Sequence, residues 1–449
     1  MIKYTQTTIQ TPPIEEIFHK TDKYRGISLF SASTDLDKEI SGINPVIIIR
    51  EKELRKGNQL SKITDPLKEM DKLISEYGYL PEPVSLMGYI SYDFKDRFEE
   101  KGLYEKREQG VYPDFYFALF EHYLLSSRVG NESQLYTLEF PFEYESVQYN
   151  SNYRQEKETK THGTSYYRGT SLDKDLYEKA VGKTVNYIRE GDIYQANITR
   201  AIYGETELSP LESALELYRS NRISYGVFAS IPGGHVVSTS PELFFKTENG
   251  RIMASPIKGT ITRSKDEKSD LNNKEELLHS EKNIAELAMI VDLLRNDLSL
   301  VCRPGSVSVP RFPILMTLEN VYHLYADVHG ELLPGTGIGE VLKKTFPGGS
   351  ITGCPKIRAC QIIDELESTA RGIYTGSFGK ISFNGNSIFN IMIRSLFQSG
   401  SSIIFNVGGG ITLLSDPKDE YEETIHKGTN IWKAMKMENI SEEQYCTEE

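Results

Sequence analysis

Tryptophan and cysteine are scarce in this chain of 449 residues, which contains one tryptophan and four cysteines. Cys302, Cys354, Cys360 and Cys446 include no Cys-x-x-Cys pair. Such sparse use of cysteine is typical of proteins in a reducing compartment, where disulfides are rare. We therefore predict a cytoplasmic protein whose cysteines serve as small buried apolar side chains.

Long apolar runs are also missing. The sequence contains no uninterrupted apolar stretch of the roughly 18 residues that a helix needs to cross a bilayer. Its first residues, MIKYTQTTIQTPPIEE, are polar and lack the apolar segment of a signal peptide. The sequence therefore predicts neither a membrane span nor a secretion signal.

Positive charge is in deficit. The chain has 51 Lys and Arg against 64 Asp and Glu, which gives a net charge of −13. Nucleic acid is therefore not expected as a partner, because phosphate binding needs a basic field. The 38% hydrophobic and 26% charged residues are typical of a soluble globular protein. An anionic substrate would need local cations or a metal ion to reverse the field at its site.

The chain is long enough for a large core and for more than one structural unit. In its first part, PVIIIRE at 45–51 and FYFALFEHYLL at 115–125 are predicted as buried strands. A stretch of low apolar periodicity follows, and after it helical and strand patterns alternate with glycine-rich turns. We therefore predict an N-terminal region over 1–145, a linker or exposed excursion over 146–172, a second region over 173–438, and an acidic tail over 439–449.

Three segments of the second region have helical periodicity. Residues 177–192 are amphipathic and end near Gly191. Residues 283–301 carry apolar side chains at helical spacing, with Glu286 outside that stripe. Residues 419–435 form the third predicted helix.

The third predicted helix carries Glu420, Glu423 and Lys427 on one face, at spacings of three and four residues. Two carboxylates one turn apart repel each other, and a divalent cation would turn that repulsion into attraction. Oxygen ligands and few histidines favour Mg²⁺ over zinc. Glu286 is a candidate ligand from another helix. The alternative is an ordinary solvated helix face.

Two glycine-rich stretches follow apolar residues. VGGGI at 407–411 could let backbone N–H groups approach an anion, with a plain hairpin turn as the alternative. FPGGSITGCPK at 346–356 does not end in the Gly-Lys-Ser/Thr of a phosphate-binding loop, so no nucleotide site is predicted.

Lys258 stands between Pro256 and Gly259, sixteen residues after Glu242. A hairpin with its turn near 248–250 would bring Glu242 and Lys258 together. A glutamic acid kept protonated can act as a general acid, and a desolvated lysine can act as a nucleophile. A structural or surface role is the alternative for each residue.

Eleven fragments between residues 173 and 435 occur together in one order, and as a set they resemble the chorismate-utilising enzymes. The fragments are GDIYQANITR, STSPELFF, PIKGT, SEKNIAELAMIVDLLRND, PGSVSVP, YHLYADVHGEL, FPGGSITGCPKIRACQIIDELE, YTGSFG, IMIRS, VGGGI and DEYEET. MGYISYDF at 87–94 is similar to the N-terminal half of the same family. The resemblance implies an α/β (α+β) sandwich in which two large antiparallel β-sheets pack face to face, with helices outside.

Two positions divide this family. Isochorismate and salicylate synthases carry a water-activating lysine where this chain has Gln195, so the resemblance implies ammonia as the nucleophile. Anthranilate synthases typically have alanine in the Pro-Ile-x-Gly-Thr motif, whereas aminodeoxychorismate synthases have lysine, as this chain does at Lys258. The resemblance therefore implies amination of chorismate to 4-amino-4-deoxychorismate, for p-aminobenzoate and folate synthesis, with Lys258 as a covalent nucleophile.

The resemblance also implies a role for each matching residue. Catalytic roles fall to Lys258, Glu242 and His323; substrate contacts to Thr260, Tyr374, Arg394, Gly408, Gly410 and Lys427; and Mg²⁺ binding to Glu286, Glu423 and Glu420, with Asn283 nearby.

No glutamine amidotransferase motif is found in the chain, so the resemblance implies a separate amidotransferase subunit that supplies ammonia. Lys380, which follows the last glycine of YTGSFG, stands where many members of the family have tyrosine. SLFSAS at 28–33 matches poorly the stretch linked with tryptophan feedback in anthranilate synthases, so such feedback is not expected. The alternatives are an anthranilate synthase component I, a water-using synthase, and a non-catalytic chorismate-binding regulatory subunit.

Overall fold

The computed structural model describes residues 1–30, 38–98, 110–127, 131–149, 163–220, 223–317 and 321–438. The described helices are α1 Ile14–Lys23, α2 Pro66–Glu76, α3 Lys174–Glu190, α4 Pro210–Ser220, α5 Glu267–Leu278, α6 Glu281–Ser299, α7 Ile338–Thr345, α8 Lys356–Leu366 and α9 Pro417–Ala434. Two short 3₁₀ helices span Tyr92–Arg97 and Gly349–Ile351.

The described strands fall on both sides of the predicted linker. They are β1 Lys3–Gln10, β2 Ile27–Phe30, β3 Lys38–Arg50, β4 Glu53–Lys56, β5 Gln59–Lys62, β6 Ser85–Ile90, β7 Phe115–Ser127, β8 Glu132–Glu139, β9 Ser165–Thr170, β10 Gln195–Thr206, β11 Tyr225–Ile231, β12 Gly234–Ser240, β13 Leu243–Glu248, β14 Arg251–Ser255, β15 Ile257–Thr262, β16 Ile314–Thr317, β17 Val321–Tyr325, β18 Val328–Glu331, β19 Gly353–Cys354, β20 Ser377–Ser382, β21 Ser387–Asn390, β22 Ser395–Ser399, β23 Ser402–Ile411 and β24 Met437–Glu438.

Among the described strands, 21 are hydrogen-bonded into one network. Its first arm runs in the order β9–β10–β23–β22–β12–β11–β2. Its second arm runs β6–β20–β21–β13–β14–β18. The long strands β3 and β7 pair with each other and join the two arms. All of these pairs are antiparallel.

The prediction of a mixed α/β fold with large antiparallel sheets and helices is confirmed. The two predicted sheets correspond to the two arms, which are continuous because β3 and β7 serve both. A register shift between Pro45 and Ile47 marks the bulge at which β3 can bend from one arm to the other. Apolar side chains of both arms meet in one buried cluster, for example Ala229 of β11 and Phe245 of β13.

The chain passes from one arm to the other at two places that matter for function. Pro241 and Glu242 separate β12 from β13, and residues 391–394 separate β21 from β22. The crossings are neighbours, because the backbone N–H of Ile391 donates to the carbonyl oxygen of Glu242 at 3.0 Å. Glu242 and Arg394 therefore lie near the junction of the two arms.

A separate sheet of three strands, β15–β17–β16, lies against helices α5 and α6. Its strands carry Lys258, Thr260 and His323. This small sheet therefore delivers three of the predicted site residues from outside the main network.

The three predicted helices of the second region correspond to α3, α6 and α9, each with N-terminal capping by a side chain. Asp173 accepts from the N–H of Leu176, and Ser280 and Asp416 cap the other two helices. Gly191 follows the last residue of α3, and its φ of 84° is the left-handed conformation in which a glycine commonly terminates a helix. The predicted buried strands and the hairpin are also confirmed, as β3, β7 and the pair β13–β14.

The domain division stays a prediction. Strand β9, Ser165–Thr170, lies within the range 146–172 that we predicted as a linker, and it pairs with β10. Residues 150–162, the tail at 439–449 and the end of the segment 28–33 lie outside the described residues. Cys302 and Cys360 are buried, as expected for small apolar side chains. In the described part of the chain, no helix has the length and apolarity needed to cross a membrane.

Candidate active site

Lys258 lies in β15 beside a β-bulge. The pairing of β15 with β17 shifts between Lys258 and Thr260, and Gly259 has a φ of 76°. Glycine adopts this left-handed conformation without strain. A β-carbon built on Gly259 would also lie 3.0 Å from Cβ of Asn283 on α6. The glycine of the PIKGT motif therefore permits both the bulge and the close approach of α6.

Gly410 brings Lys258 beside Gln195. A β-carbon built on Gly410 would lie 3.2 Å from Nζ of Lys258 and 3.1 Å from Nε2 of Gln195. Gln195 is 1% exposed, and within the described residues neither atom of its carboxamide has a hydrogen-bond partner. A buried polar group without partners is costly unless a ligand or water satisfies it. These three residues therefore outline one wall of a polar ligand site.

The electrostatic setting of Lys258 favours its neutral form. Loss of solvation lowers the pKa of Lys258, and the positive charge of Lys427 lowers it further. Glu286, Glu242 and Glu423 oppose this shift. The net lowering increases the fraction of free amine, which is the nucleophilic form of lysine.

Glu242 is buried at the junction of the two arms. Its backbone N–H donates to Oγ of Ser240 at 3.2 Å, which fixes the chain at the crossing. Burial raises the pKa of the Glu242 carboxyl, while the Ser350 side chain and Lys258 oppose the shift. The raised pKa keeps this carboxyl protonated to higher pH, as a general acid requires.

Thr260 and His323 meet across the small sheet. Nδ1 of His323 lies 2.7 Å from Oγ1 of Thr260, within hydrogen-bond distance, and the two residues are paired in the register of β15 and β17. Burial lowers the pKa of His323, and the positive charge of Arg394 lowers it further. The imidazole is therefore biased to its neutral form, which has one donor and one acceptor nitrogen.

Arg394 stands at the second crossing with a φ of 51°. Its carbonyl oxygen accepts from the backbone N–H of Thr239 at 3.0 Å, which holds the crossing against β12. Burial lowers the pKa of Arg394, and the nearby Glu242 opposes the shift. The charges of Arg394 and Glu242 thus each shift the pKa of the other group, and the two residues lie at the same end of the site.

Tyr374 is buried close to that end. The backbone N–H of Thr375, its neighbour, donates to the carbonyl oxygen of Met392 at 2.7 Å, two residues before Arg394. Burial raises the pKa of Tyr374, and the positive charge of Arg371 opposes the shift. The tyrosine therefore stays neutral at ordinary pH and can donate a hydrogen bond.

Helix α9 presents its charged face to β23. Glu420 is 8% exposed and accepts from Oγ of Ser415 at 2.6 Å. Lys427 pairs with Glu423 at 2.5 Å and donates to the carbonyl oxygen of Gly408 at 3.0 Å. Burial raises the pKa of Glu423, but the pairing with Lys427 outweighs it, so the net shift is downward.

The predicted Mg²⁺ ligands suit a hard cation by their chemistry. Carboxylate oxygens are the ligands that Mg²⁺ prefers. The negative charges of Glu286 on α6 and Glu423 on α9 both raise the pKa of Lys258. The two helices therefore face a common space. Among the described residues, however, no three His, Cys, Asp or Glu side chains are close enough to hold a metal ion. A metal bound here would compete with Lys427 for the carboxylate of Glu423.

The glycines of VGGGI do not form a hairpin turn, and an approach of an anion to their backbone stays a prediction. They lie inside β23, where Gly408, Gly409 and Gly410 pair with β10. A β-carbon on Gly408 would overlap the carbonyl oxygen of Ile198, and one on Gly409 would lie 2.9 Å from Oε2 of Glu420. These glycines are needed because backbone and charged side chains approach the strand on both faces.

The sequence reasoning missed a buried ion pair that supports the site. Glu367 and Arg371 are paired at 2.6 Å, with side chains 4% and 1% exposed. Glu367 also accepts from the backbone N–H of Thr199 at 2.8 Å, and Arg371 donates to the carbonyl oxygen of Asn197 at 2.6 Å. The pair therefore anchors β10 just beyond Gln195. The only sequence signal was the four-residue spacing of opposite charges.

The fold and the polar side chains of this site define an enzyme of mixed α/β architecture. Lys258, whose pKa is lowered, Glu242, whose pKa is raised, and Arg394 act on one another near the junction of the two sheet arms. The chain belongs to the chorismate binding enzyme family, whose family model matches residues 28–433.

Relatives with two different activities resemble the chain. Aminodeoxychorismate synthase component 1 of Bacillus subtilis is 30% identical over 432 residues, which cover 90% of each chain. Anthranilate synthase component 1 of Aquifex aeolicus is 38% identical over 275 residues, which cover 61% of this chain and 56% of the relative. The family resemblance is therefore confirmed, and the two names leave open which member this chain is.

Solved structures give the same fold. Anthranilate synthase component I from Streptococcus pneumoniae superimposes with a TM-score of 0.75 at 26% identity, covering 89% of this chain and 93% of that one. The menaquinone-specific isochorismate synthase of Escherichia coli gives 0.73 at 16% identity, covering 96% and 95%, a likeness of fold alone.

Proposed function

We propose that this protein is an aminodeoxychorismate synthase component I, which converts chorismate and ammonia to 4-amino-4-deoxychorismate and water. The observation that carries the proposal is the position of Lys258, whose amine lies beside Gly410 and Gln195 and acts on Glu242. Lysine at this position of the Pro-Ile-x-Gly-Thr motif is the feature of aminodeoxychorismate synthases that the sequence resemblance singled out. The Bacillus subtilis relative, matched over most of both chains, supports the same activity.

Lys258 and Glu242 would act together in the first step. The free amine of Lys258 attacks C2 of chorismate, the ring double bonds shift, and the C4–O bond breaks. Glu242 gives its proton to the departing hydroxyl, which leaves as water. The opposite pKa shifts of the two groups favour the neutral amine and the protonated acid that this step needs.

Ammonia would complete the reaction from the other end of the same five-carbon conjugated system, C2–C1–C6–C5–C4. It attacks C4, the double bonds shift back, and the C2–N bond to Lys258 breaks. One proton from ammonia then returns to Glu242 or to solvent, and the enolpyruvyl group is retained. Gln195 cannot remove a proton from water, which argues for ammonia as the attacking group.

The remaining predicted residues would hold the substrate. Arg394, with Tyr374 near it, is suited to the enolpyruvyl carboxylate, because a guanidinium can bind a carboxylate with two hydrogen bonds. Thr260 and His323 would line the ring pocket. Lys427, which donates to the carbonyl oxygen of Gly408, and Gly410, which lies beside Lys258, would border the ring carboxylate.

Glu286, Glu420 and Glu423 would hold Mg²⁺, and their carboxylates would have to come closer together to do so than they stand among the described residues. The ion would supply positive charge for the ring carboxylate, which offsets the negative charge of this part of the chain. The proposal also includes a separate glutamine amidotransferase subunit as the source of ammonia, and a cytoplasmic place in p-aminobenzoate and folate synthesis.

The second candidate is an anthranilate synthase component I. It is favoured by the higher identity, 38%, of the Aquifex aeolicus relative over the shared 275 residues. Lys258 argues against it, because alanine is typical of anthranilate synthases at this position.

The test is product analysis. The purified chain is incubated with chorismate, Mg²⁺ and an ammonium salt, and products are separated by chromatography and identified by mass. We expect 4-amino-4-deoxychorismate. Anthranilate would establish the second candidate and show that Lys258 does not decide the outcome. No turnover, even with an amidotransferase subunit added, would indicate a chorismate-binding regulatory subunit.

A further inference from the structure

A cavity lies in the N-terminal part of the chain and contains none of the residues of the candidate active site. It has a volume of about 560 Å³, which is within the usual range for small-molecule sites. Strands β3, β4, β5 and β7 and the end of β11 line it. Its walls include Arg25, Arg50, Arg55 and Tyr116. None of these residues has a part in the proposed reaction.

The strand registers place the lining side chains on one face of the sheet. Arg50 is paired with Tyr116 across β3 and β7, and Ile48 is paired with Arg55 across β3 and β4. Leu60 is in turn paired with Arg55. Paired residues project to the same side of a sheet, and so do residues two apart on one strand. The cationic and apolar side chains therefore share one concave surface.

Tyr116 provides an independent sign of a ligand site. Its side chain is 2% exposed, and within the described residues its hydroxyl has no protein hydrogen bond although it borders the cavity. Burial raises the pKa of Tyr116, and the positive charges of Arg55, Arg25 and Arg50 all oppose that shift. The three arginines are thus close enough to act on the hydroxyl of Tyr116.

The arginines are only partly neutralised by the protein. Arg50 pairs with Glu53, the one acidic residue among the described residues that border the cavity, and Arg55 donates to the carbonyl oxygen of Pro45 at 3.3 Å. The side chain of Arg25 forms neither an ion pair nor a hydrogen bond within the described part of the chain. Three arginines against one glutamate make this a local positive site in a chain of net charge −13.

We propose that this cavity binds a small organic anion, one with a carboxylate or phosphate group and an apolar body. The anionic group would lie between Arg25 and Arg55 and accept a hydrogen bond from the Tyr116 hydroxyl. The apolar body would contact Ile48, Leu60 and the edge of Pro232. The inference is independent of the proposed reaction, because it uses no residue of that site.

The test is isothermal titration of the full chain with four probes: phenyl phosphate, benzoate, inorganic phosphate and phenol. We expect saturable binding of phenyl phosphate or benzoate, with the tighter of the two showing which anionic group the site prefers. Inorganic phosphate should bind several-fold more weakly, and phenol should not bind. Equal affinities for phenyl phosphate and inorganic phosphate would overturn the apolar part of the proposal.

Three variants and a control locate the binding. Arg25→Gln and Arg55→Gln should each weaken binding about tenfold, since each removes a charged hydrogen-bond donor. Tyr116→Phe should weaken binding less than the two arginine variants do, because it removes only the hydroxyl and keeps the packed ring. Arg168→Gln, which removes an exposed arginine paired with Glu205 elsewhere, should bind as the parent does. Absence of saturable binding, or unchanged affinity in the two cavity arginine variants, would overturn the proposal.

Discussion

The ammonium nitrogen of Lys427 lies 2.5 Å from Oε1 of Glu423, one turn away on α9. Glu423 is one of the carboxylates proposed to hold Mg²⁺, so Lys427 and the metal would compete for it. The two side chains are 45% and 51% exposed, which limits the strength of the pair to that of a surface ion pair.

Replacing Lys427 should therefore strengthen Mg²⁺ binding. In Lys427→Gln we expect the dissociation constant for Mg²⁺, measured by titration calorimetry without substrate, to fall about threefold to fivefold, the value of a surface ion pair. Lys433→Gln, on the same helix, is the matched control and should bind Mg²⁺ as the parent does. Unchanged or weaker affinity in the Lys427 variant would show that Glu423 is not a ligand.

Removing the amine of Lys258 should abolish most turnover without unfolding the chain. Lys258→Ala deletes the proposed nucleophile, and the desolvated amine that it removes contributes little to stability. We expect aminodeoxychorismate formation to slow by about a hundredfold or more, with an unchanged circular dichroism spectrum. Lys246→Ala, at an exposed pair with Glu248, is the control. Normal turnover in Lys258→Ala would rule out the nucleophile.

The pH dependence of turnover should have two limbs. Activity should rise with pH as Lys258, with its lowered pKa, loses its proton, and fall as Glu242, with its raised pKa, loses its own. Glu242→Gln cannot donate a proton, so the rate should fall and the descending limb should disappear. A descending limb that persists unchanged in this variant would assign it to another group.

Gly410 should tolerate no side chain without loss of activity. The β-carbon of Gly410→Ala would crowd Nζ of Lys258 and Nε2 of Gln195, both ends of side chains that can move aside. We therefore expect lower kcat with little change in melting temperature. Gly408→Ala meets the backbone of Ile198 instead and should destabilise the fold. Gly182→Ala, in open space on α3, is the control and should melt no lower than the parent. Full activity in Gly410→Ala would place Lys258 elsewhere during turnover.

Breaking the buried pair of Glu367 and Arg371 should cost far more stability than breaking a surface pair. Glu367→Ala leaves Arg371 uncompensated, and removing one partner of a buried pair typically costs about 3–5 kcal/mol. Denaturant unfolding measures the change. Glu205→Ala, at the exposed pair with Arg168, should cost about 1 kcal/mol or less. Similar costs in the two variants would contradict this account.

Much of the site was predictable because its evidence is local. The β13–β14 hairpin was foreseeable from its turn residues, and its register pairs Leu243 with Ser255. That pairing brings the neighbourhoods of Glu242 and Lys258 together, as the sequence suggested. The helices α6 and α9 followed from periodicity and capping residues in the same way.

Long-range pairing explains what the sequence could not predict. Three successive glycines look like a turn, yet they lie within β23, near its C-terminal end, because of the partner strand β10 and the helix α9 packed beside them. The hydrogen bond from Thr199 to Glu367 spans 168 residues of sequence. No local pattern records such a contact, nor the joining of the two sheet arms through β3 and β7.

The continuity of the strand network has a consequence for recombining family members. Strand β6 of the N-terminal region pairs over its full length, Ser85–Ile90, with β20 of the second region. Swapping the first 145 residues between two homologues would therefore pair strands from different parents inside one sheet, because β6 and β20 lie on either side of the exchange point. Chimaeras that inherit β6 and β20 from the same parent should fold. An exchange point that takes the two strands from different parents puts mismatched side chains next to each other in the core.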